Sequence, residues 1–403
     1  MDIGFVIKIL FAIYTYAALS FFQPLGLIDG EVAKVISYGA MASIFIISIL
    51  CDNNDGIRHR AQFSTPTRWL LFFIGASTLM PSLSYFEQGF IDSVICTIPF
   101  FSYGLYLALR KFDIGFDYLF RLTLSVIVLA AITHIINLYT FPEISFGKVA
   151  EEYEFDRGGV RLIIQGFHFV ILGFFIAASK IKGGGGGMWW LLLILCYAII
   201  LASYTRQHII ACTILGAIAI VCRASGVIKR SILAVVIVIS AIIIIPEIPI
   251  FRNLADITIE QQTTNDAIGK ENVRLTAAKY YGWEATDSTI NRLFGNGVPS
   301  YHSKWGTDIK SYADAEHIYA ADVGWFGFNY YFGIFAVIAM LTICYKAISS
   351  KNRYSDLGRY YFIWLAVTSL INGALLYQYE IVVTVIALSI TDYQNEHLGE
   401  LQQ

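Results

Sequence analysis

The sequence predicts an all-α, polytopic membrane protein of about twelve transmembrane helices, with a large extracytoplasmic loop between the ninth and tenth. Three observations predict it. Hydrophobic residues make up 57% of the 403 and charged residues 14%, where soluble domains carry about 25% charged; the mean hydropathy is +0.62. The apolar residues fall into runs close to the ~20 residues that a spanning helix needs. The basic residues gather in alternate loops, as the positive-inside rule requires.

The expected spans are 3–22, 31–51, 69–85, 92–109, 118–141, 161–179, 188–204, 209–222, 231–250, 323–345, 360–376 and 379–391. The first lacks a basic leader and a small-residue cleavage site, so it reads as a retained helix rather than a signal peptide. Basic loops follow every second span: Arg58, Arg60 and Arg68; Arg110 and Lys111; Lys180 and Lys182; Arg223, Lys229 and Arg230; then Lys346, Lys351, Arg353 and Arg359. The intervening loops 23–30 and 86–91 have no lysine or arginine. Both termini are therefore expected in the cytoplasm, with residues 1–403 forming a single integral membrane domain.

Two outward segments break the short-loop pattern. Residues 142–160 are acidic (Glu143, Glu151, Glu152, Glu154, Asp156) and lead into Arg157 and Arg161. Residues 251–322 form a loop of about 70 residues, and loops beyond about 15 residues usually carry function or structure of their own. Helical signals from Glu271 to Trp283, then a turn at Leu293-Phe294-Gly295-Asn296-Gly297, predict a partly helical loop packed over the membrane domain. The Gly183–Gly187 run reads as a flexible connector.

Several chemistries find no support. The net charge of −2 offers nothing to nucleic acid, and the six cysteines lie in or beside apolar runs without metal-ligand spacing. No metal-binding, serine-nucleophile or phosphate-loop motif occurs, so no metal or cofactor is expected.

The residue with most to say is Arg206, in Ser203-Tyr204-Thr205-Arg206-Gln207-His208, wedged between two apolar runs. An arginine at the bilayer centre costs about 2.5–3.5 kcal/mol on insertion scales, and less near the interface. An anion compensates a guanidinium well; snorkelling to headgroups is the plainer alternative. The same predicted face carries Arg157 and Arg161, Arg274, and His317 in Asp314-Ala315-Glu316-His317-Ile318-Tyr319. A histidine among arginines suggests a general base beside an anion clamp. Each has a structural alternative: Arg157 and Arg161 pairing with the acidic run, Arg274 on a solvated helix face, His317 as a hydrogen-bonder. His302 and Glu316 are rival bases, whereas His134 and His168, inside spans, read as packed polar residues.

From about residue 150 to 345 the chain resembles the O-antigen polymerase and O-antigen ligase superfamily of bacterial envelope enzymes. The resemblance rests on Arg157-Gly158-Gly159 before a span, Ser203-Tyr204-Thr205-Arg206, and the loop pattern Arg274, Trp283 and Leu293-Phe294-Gly295-Asn296-Gly297. His317-Ile318-Tyr319 and the Gly324-Trp325-Phe326-Gly327 step into the next span complete it. It implies a metal-independent glycosyltransferase of the inner membrane, its site facing the periplasm. The donor is expected to be an oligosaccharide on undecaprenyl diphosphate. The acceptor is another lipid-linked unit for a polymerase, the favoured reading, or the lipid A core for a ligase. Carried over, His317 activates the acceptor hydroxyl, and Arg206 and Arg274 hold the donor diphosphate. Arg157 and Arg161 are assigned to lipid-diphosphate or glycan binding. Membrane lipid and a chain-length regulator protein are the further expected partners. A flippase for lipid-linked oligosaccharides is the competing class, though a transporter should carry its polar residues near the midplane in matching halves.

Overall fold

The structure, a computed structural model, describes residues 2–21, 30–51, 61–83, 87–146, 162, 164–223, 273–350 and 356–400. Among the described residues every regular element is helical. The first half runs α1 (Ile3–Leu19), α2 (Gly30–Leu50), α3 (Ser64–Ser77), the single turn α4 (Met80–Leu83), α5 (Phe90–Thr97), α6 (Leu105–Lys111) and α7 (Phe116–Thr140). Then come α8 (Phe167–Lys182), α9 (Gly187–Ala202) and α10 (Arg206–Arg223). The large loop contributes α11 (Val273–Lys279), α12 (Thr289–Phe294) and α13 (Lys304–Glu316), before α14 (Gly324–Ser349), α15 (Leu357–Thr368) and α16 (Gln378–Glu400).

Local chemistry explains where these helices start and break. Asp2 caps α1 by accepting the Gly4 N–H at 2.9 Å, and Ser20, left-handed at φ 52°, stops it. Pro99 opens a 3-10 stretch, Ile98–Gly104, that joins α5 to α6. The span expected over 69–85 starts earlier, at Ser64, and breaks after Ser77. The span expected from 161 begins only at Phe167, after Gly166 at φ 73°. The segment 231–250, expected as the ninth span, lies outside the described residues, as do 251–272 of the large loop.

Among the described residues, four helical stretches are long and apolar enough to cross a membrane: Gly30–Leu50, Phe90–Lys111, Phe116–Thr140 and Ala320–Ser349. Their outer faces present large apolar side chains; Val35 is 70% exposed, Ile49 79% and Ile91 73%. Such faces suit lipid rather than water. Two helices differ. In α8 every residue from His168 to Ser179 is buried, and in α16 every one from Glu380 to Asp392. A helix apolar all round belongs inside a bundle, and α8 and α16 occupy its centre, in mutual contact.

Charges at one end tie the bundle together. The Arg110 side chain, only 3% exposed, pairs with Asp392 at 3.0 Å and with Glu396, fastening α6 to α16. Asp392 also accepts the Tyr106 hydroxyl at 2.7 Å and the Gln62 N–H at 3.0 Å. Lys182 and Arg359 both engage Asp356, joining α8 to the start of α15. At the other end the large loop is seated on α14. Gly333, at φ 77°, interrupts that helix, and a Cβ there would lie 2.3 Å from the Leu293 carbonyl oxygen. Only glycine allows so close an approach. Beside it, the Asn296 and Gly297 N–H groups donate to the Tyr330 and Tyr331 carbonyls at 2.8 and 3.0 Å. Gln88 clips the loop from a third side, donating to Val298 O at 3.0 Å and accepting the Ser300 N–H at 2.7 Å.

Breaking a buried ion pair by removing one partner costs roughly 3–5 kcal/mol. Arg110→Ala is therefore expected to lower the thermal midpoint of the detergent-purified protein clearly. The exposed Lys304→Ala should leave it within error. Equal midpoints for Arg110→Ala and the parent protein would contradict the fastening role.

Candidate functional site

Where the large loop meets the bundle, the helix ends surround a cavity of about 740 Å³. Ligand sites commonly measure about 300–1,000 Å³. The start of α8, the α9–α10 junction, the start of α11, the residues before α14, the stretch after α15 and the start of α16 all contribute to the lining. Six chemically active side chains face it: Arg206, Arg274, His168, His208, Asp322 and Glu380.

Arg206, between two apolar runs in the sequence, opens α10. Helix α9 ends at Ala202, Tyr204 turns left-handed at φ 51°, and the Thr205 N–H donates to Ser203 Oγ at 3.2 Å. A cation in the first turn of a helix opposes the helix dipole, so helix stability does not explain Arg206. The guanidinium is half-buried, its Nε and Nη2 fully so. Arg274, the second residue of α11, is brought to the same cavity by the loop and interacts electrostatically with Asp322. A guanidinium steadied by one carboxylate keeps donors for a second anion.

The deep wall is polar and tightly held. His168 Nδ1 lies 3.1 Å from Glu380 Oε1, with side chains 9% and 5% exposed. Rings surround the imidazole: Phe167 at 5.8 Å, His208 at 5.5 Å and Trp364 at 5.5 Å between centroids. His208 Nε2 is 2.8 Å from Asn372 Nδ2. Tyr377 and Tyr379 stack at 5.4 Å, 12° from parallel, on the same wall. Flat, amphipathic faces of this kind suit a sugar ring.

Of the residues singled out from the sequence, Arg206 and Arg274 are brought together. His317 is not among the described residues lining the cavity. It caps α13 in the left-handed region at φ 55°, exposed, and the neighbouring Ile318 carbonyl accepts the Tyr281 hydroxyl at 3.4 Å. His302 and Glu316 are exposed as well. Arg157 and Arg161 lie outside the described residues. Sequence reasoning passed over Glu380, Asp322 and His208 and took His168 for packing alone. A signal existed for Glu380, a carboxylate opening the apolar run 379–391; ionisable groups in such runs mark functional sites by default. Among the described residues no group of three or more His, Cys, Asp or Glu is placed to hold a metal ion.

No protein-family model matches the chain, and no curated protein matches it. The functional reading therefore rests on the site itself and on the resemblance in its motifs.

Proposed function

We propose that this protein is a glycosyltransferase of the bacterial inner membrane that polymerises oligosaccharide units carried on undecaprenyl diphosphate. The observation that carries the reading is the convergence on one cavity of Arg206, from the start of α10, and Arg274, from the large loop. Two planar guanidiniums match the oxygens of a diphosphate, and they stabilise it most as it departs from the sugar. Asp322 steadies Arg274, and the stacked tyrosines offer a platform for the glycan.

The accompanying topology has twelve spans, both termini in the cytoplasm, and residues 251–322 in the periplasm. Two arrangements support it. Every element lining the cavity belongs to an expected outward end, whereas the ion cluster of Arg110, Lys182 and Arg359 gathers at the other. Asp308 is an exposed loop position suited to a test. Asp308→Cys should react with an impermeant maleimide in spheroplasts. Protection there, with labelling only after lysis, would reverse the orientation.

For the clamp, Arg206→Ala and Arg274→Ala should each abolish polymer at normal expression. They should also remove the rise in thermal midpoint that undecaprenyl diphosphate gives the parent protein. Arg206→Lys should recover little, because a point charge cannot reproduce the bidentate fork. Full activity in Arg206→Lys would point to a generic positive charge near headgroups.

One observation favours a second reading. A buried His–Glu pair among apolar helices is also what a proton-coupled carrier of lipid-linked glycan requires. Deleting the gene separates these fates on a gel of surface polysaccharide. A single attached repeat unit means polymerase, complete loss of attached glycan means ligase, and substrate trapped on the cytoplasmic side means carrier.

A further inference from the structure

We propose that His168 and Glu380 together form the proton acceptor of the transfer reaction, an assignment that rests on the glycosyltransferase reading. Glycosyl transfer to a hydroxyl releases one proton, so the cavity needs a group to receive it. The described lining has four carboxylates or imidazoles to choose from: Asp322, His208, His168 and Glu380. Asp322 interacts with Arg274, and His208 engages Asn372 through Nε2. The other two face each other at 3.1 Å. Their remaining atoms, His168 Nε2 and Glu380 Oε2, are buried with no hydrogen-bond partner among the described residues. A buried polar atom left in this way costs about 1–3 kcal/mol, and a substrate hydroxyl would satisfy it.

The geometry assigns the roles. Glu380 Oε1 accepts the His168 Nδ1–H, which fixes the tautomer and leaves a lone pair on Nε2. Both residues stand in the first turn of a helix, α16 for Glu380 and α8 for His168. The positive end of a helix dipole favours a carboxylate and a neutral imidazole. Trp364 and His208 confine the ring, so its direction is set before substrate arrives. Nε2 takes the proton as the acceptor oxygen bonds to the anomeric carbon. The bond from that carbon to the diphosphate oxygen breaks, and its electron pair leaves with the lipid diphosphate, held by Arg206 and Arg274. The imidazolium, stabilised by Glu380, then gives its proton to water or to the released diphosphate. His168 is thus the catalytic residue and Glu380 its positioning residue.

The test uses purified full-length protein with lipid-linked oligosaccharide extracted from host cells lacking the gene. Turnover, donor binding and thermal midpoint are measured for the parent protein, His168→Gln, Glu380→Gln and His317→Ala. A positioned base contributes about 10²–10⁴-fold, and His168→Gln should lose that much while binding donor normally. Glu380→Gln keeps the shape but not the charge. It should slow turnover and shift the acid limb of the pH–rate profile, with Glu380→Asp restoring part of the rate. Charged and titratable groups facing the pair across the cavity are His208, Arg206, Arg274, Asp322, Tyr377 and Tyr379; a limb that persists in His168→Gln belongs to one of them and overturns the assignment. Near-parent turnover in a folded His168→Gln also overturns it, and a large loss in His317→Ala would move the base to the loop. An inactive parent protein that also fails to bind the extracted lipid would instead remove the glycosyltransferase reading, and the inference with it.

Discussion

Several helices of this bundle end around one cavity, and each end leaves backbone polar groups that apolar surroundings cannot satisfy. Helix α8 begins after the left-handed Gly166, α9 stops before the left-handed Tyr204, and α15 gives out at Thr368, ahead of Asn372. Irregular backbone at membrane depth is tolerated only where protein buries it or it lines a cavity. That constraint gathers Arg206, His208, Asn372 and the stretch around Glu380 in one place. The site is a consequence of where the helices stop.

The two central helices serve both ends. Helix α8 carries His168 at the cavity and Lys182 on the ion cluster at the far end; α16 carries Glu380 at the cavity and Asp392 at the far end. The far end holds its charges in closed pairs, as a buried cation requires to offset its desolvation. The cavity end places Arg206, Arg274, His168 and Glu380 in one lining. A bundle anchored at one end and polar at the other provides a rigid base for groups that must meet a substrate in a fixed geometry. The large loop completes the wall because Gly333 lets the 293–297 turn seat directly on α14.

Much of the helical framework was legible in the sequence because apolar periodicity and loop charge act over whole segments. Arg206 stood out because a lone cation between apolar runs is costly inside the bilayer. Arg274 was legible only through its loop motif, and the structure gives it a cavity to face. Other features depended on tertiary packing. The role of Gly166 and Gly333 as breaks follows from neighbours that approach only after folding. His168 looked like a packed polar residue because Glu380, more than 200 positions away, is invisible to local pattern. His317 looked well placed beside the start of α14, yet a left-handed cap at the end of α13 holds it outside the lining.

The proposed function needs two arginines, Arg206 and Arg274, to hold one diphosphate. The most direct measurement is a cryo-electron microscopy map of the full-length protein in nanodiscs with undecaprenyl diphosphate bound. Diphosphate density within about 2.7–3.2 Å of both the Arg206 and Arg274 guanidiniums, in hydrogen-bonding geometry, is the predicted result. Headgroup density elsewhere on the protein, with the two arginines turned to protein carboxylates, would contradict it.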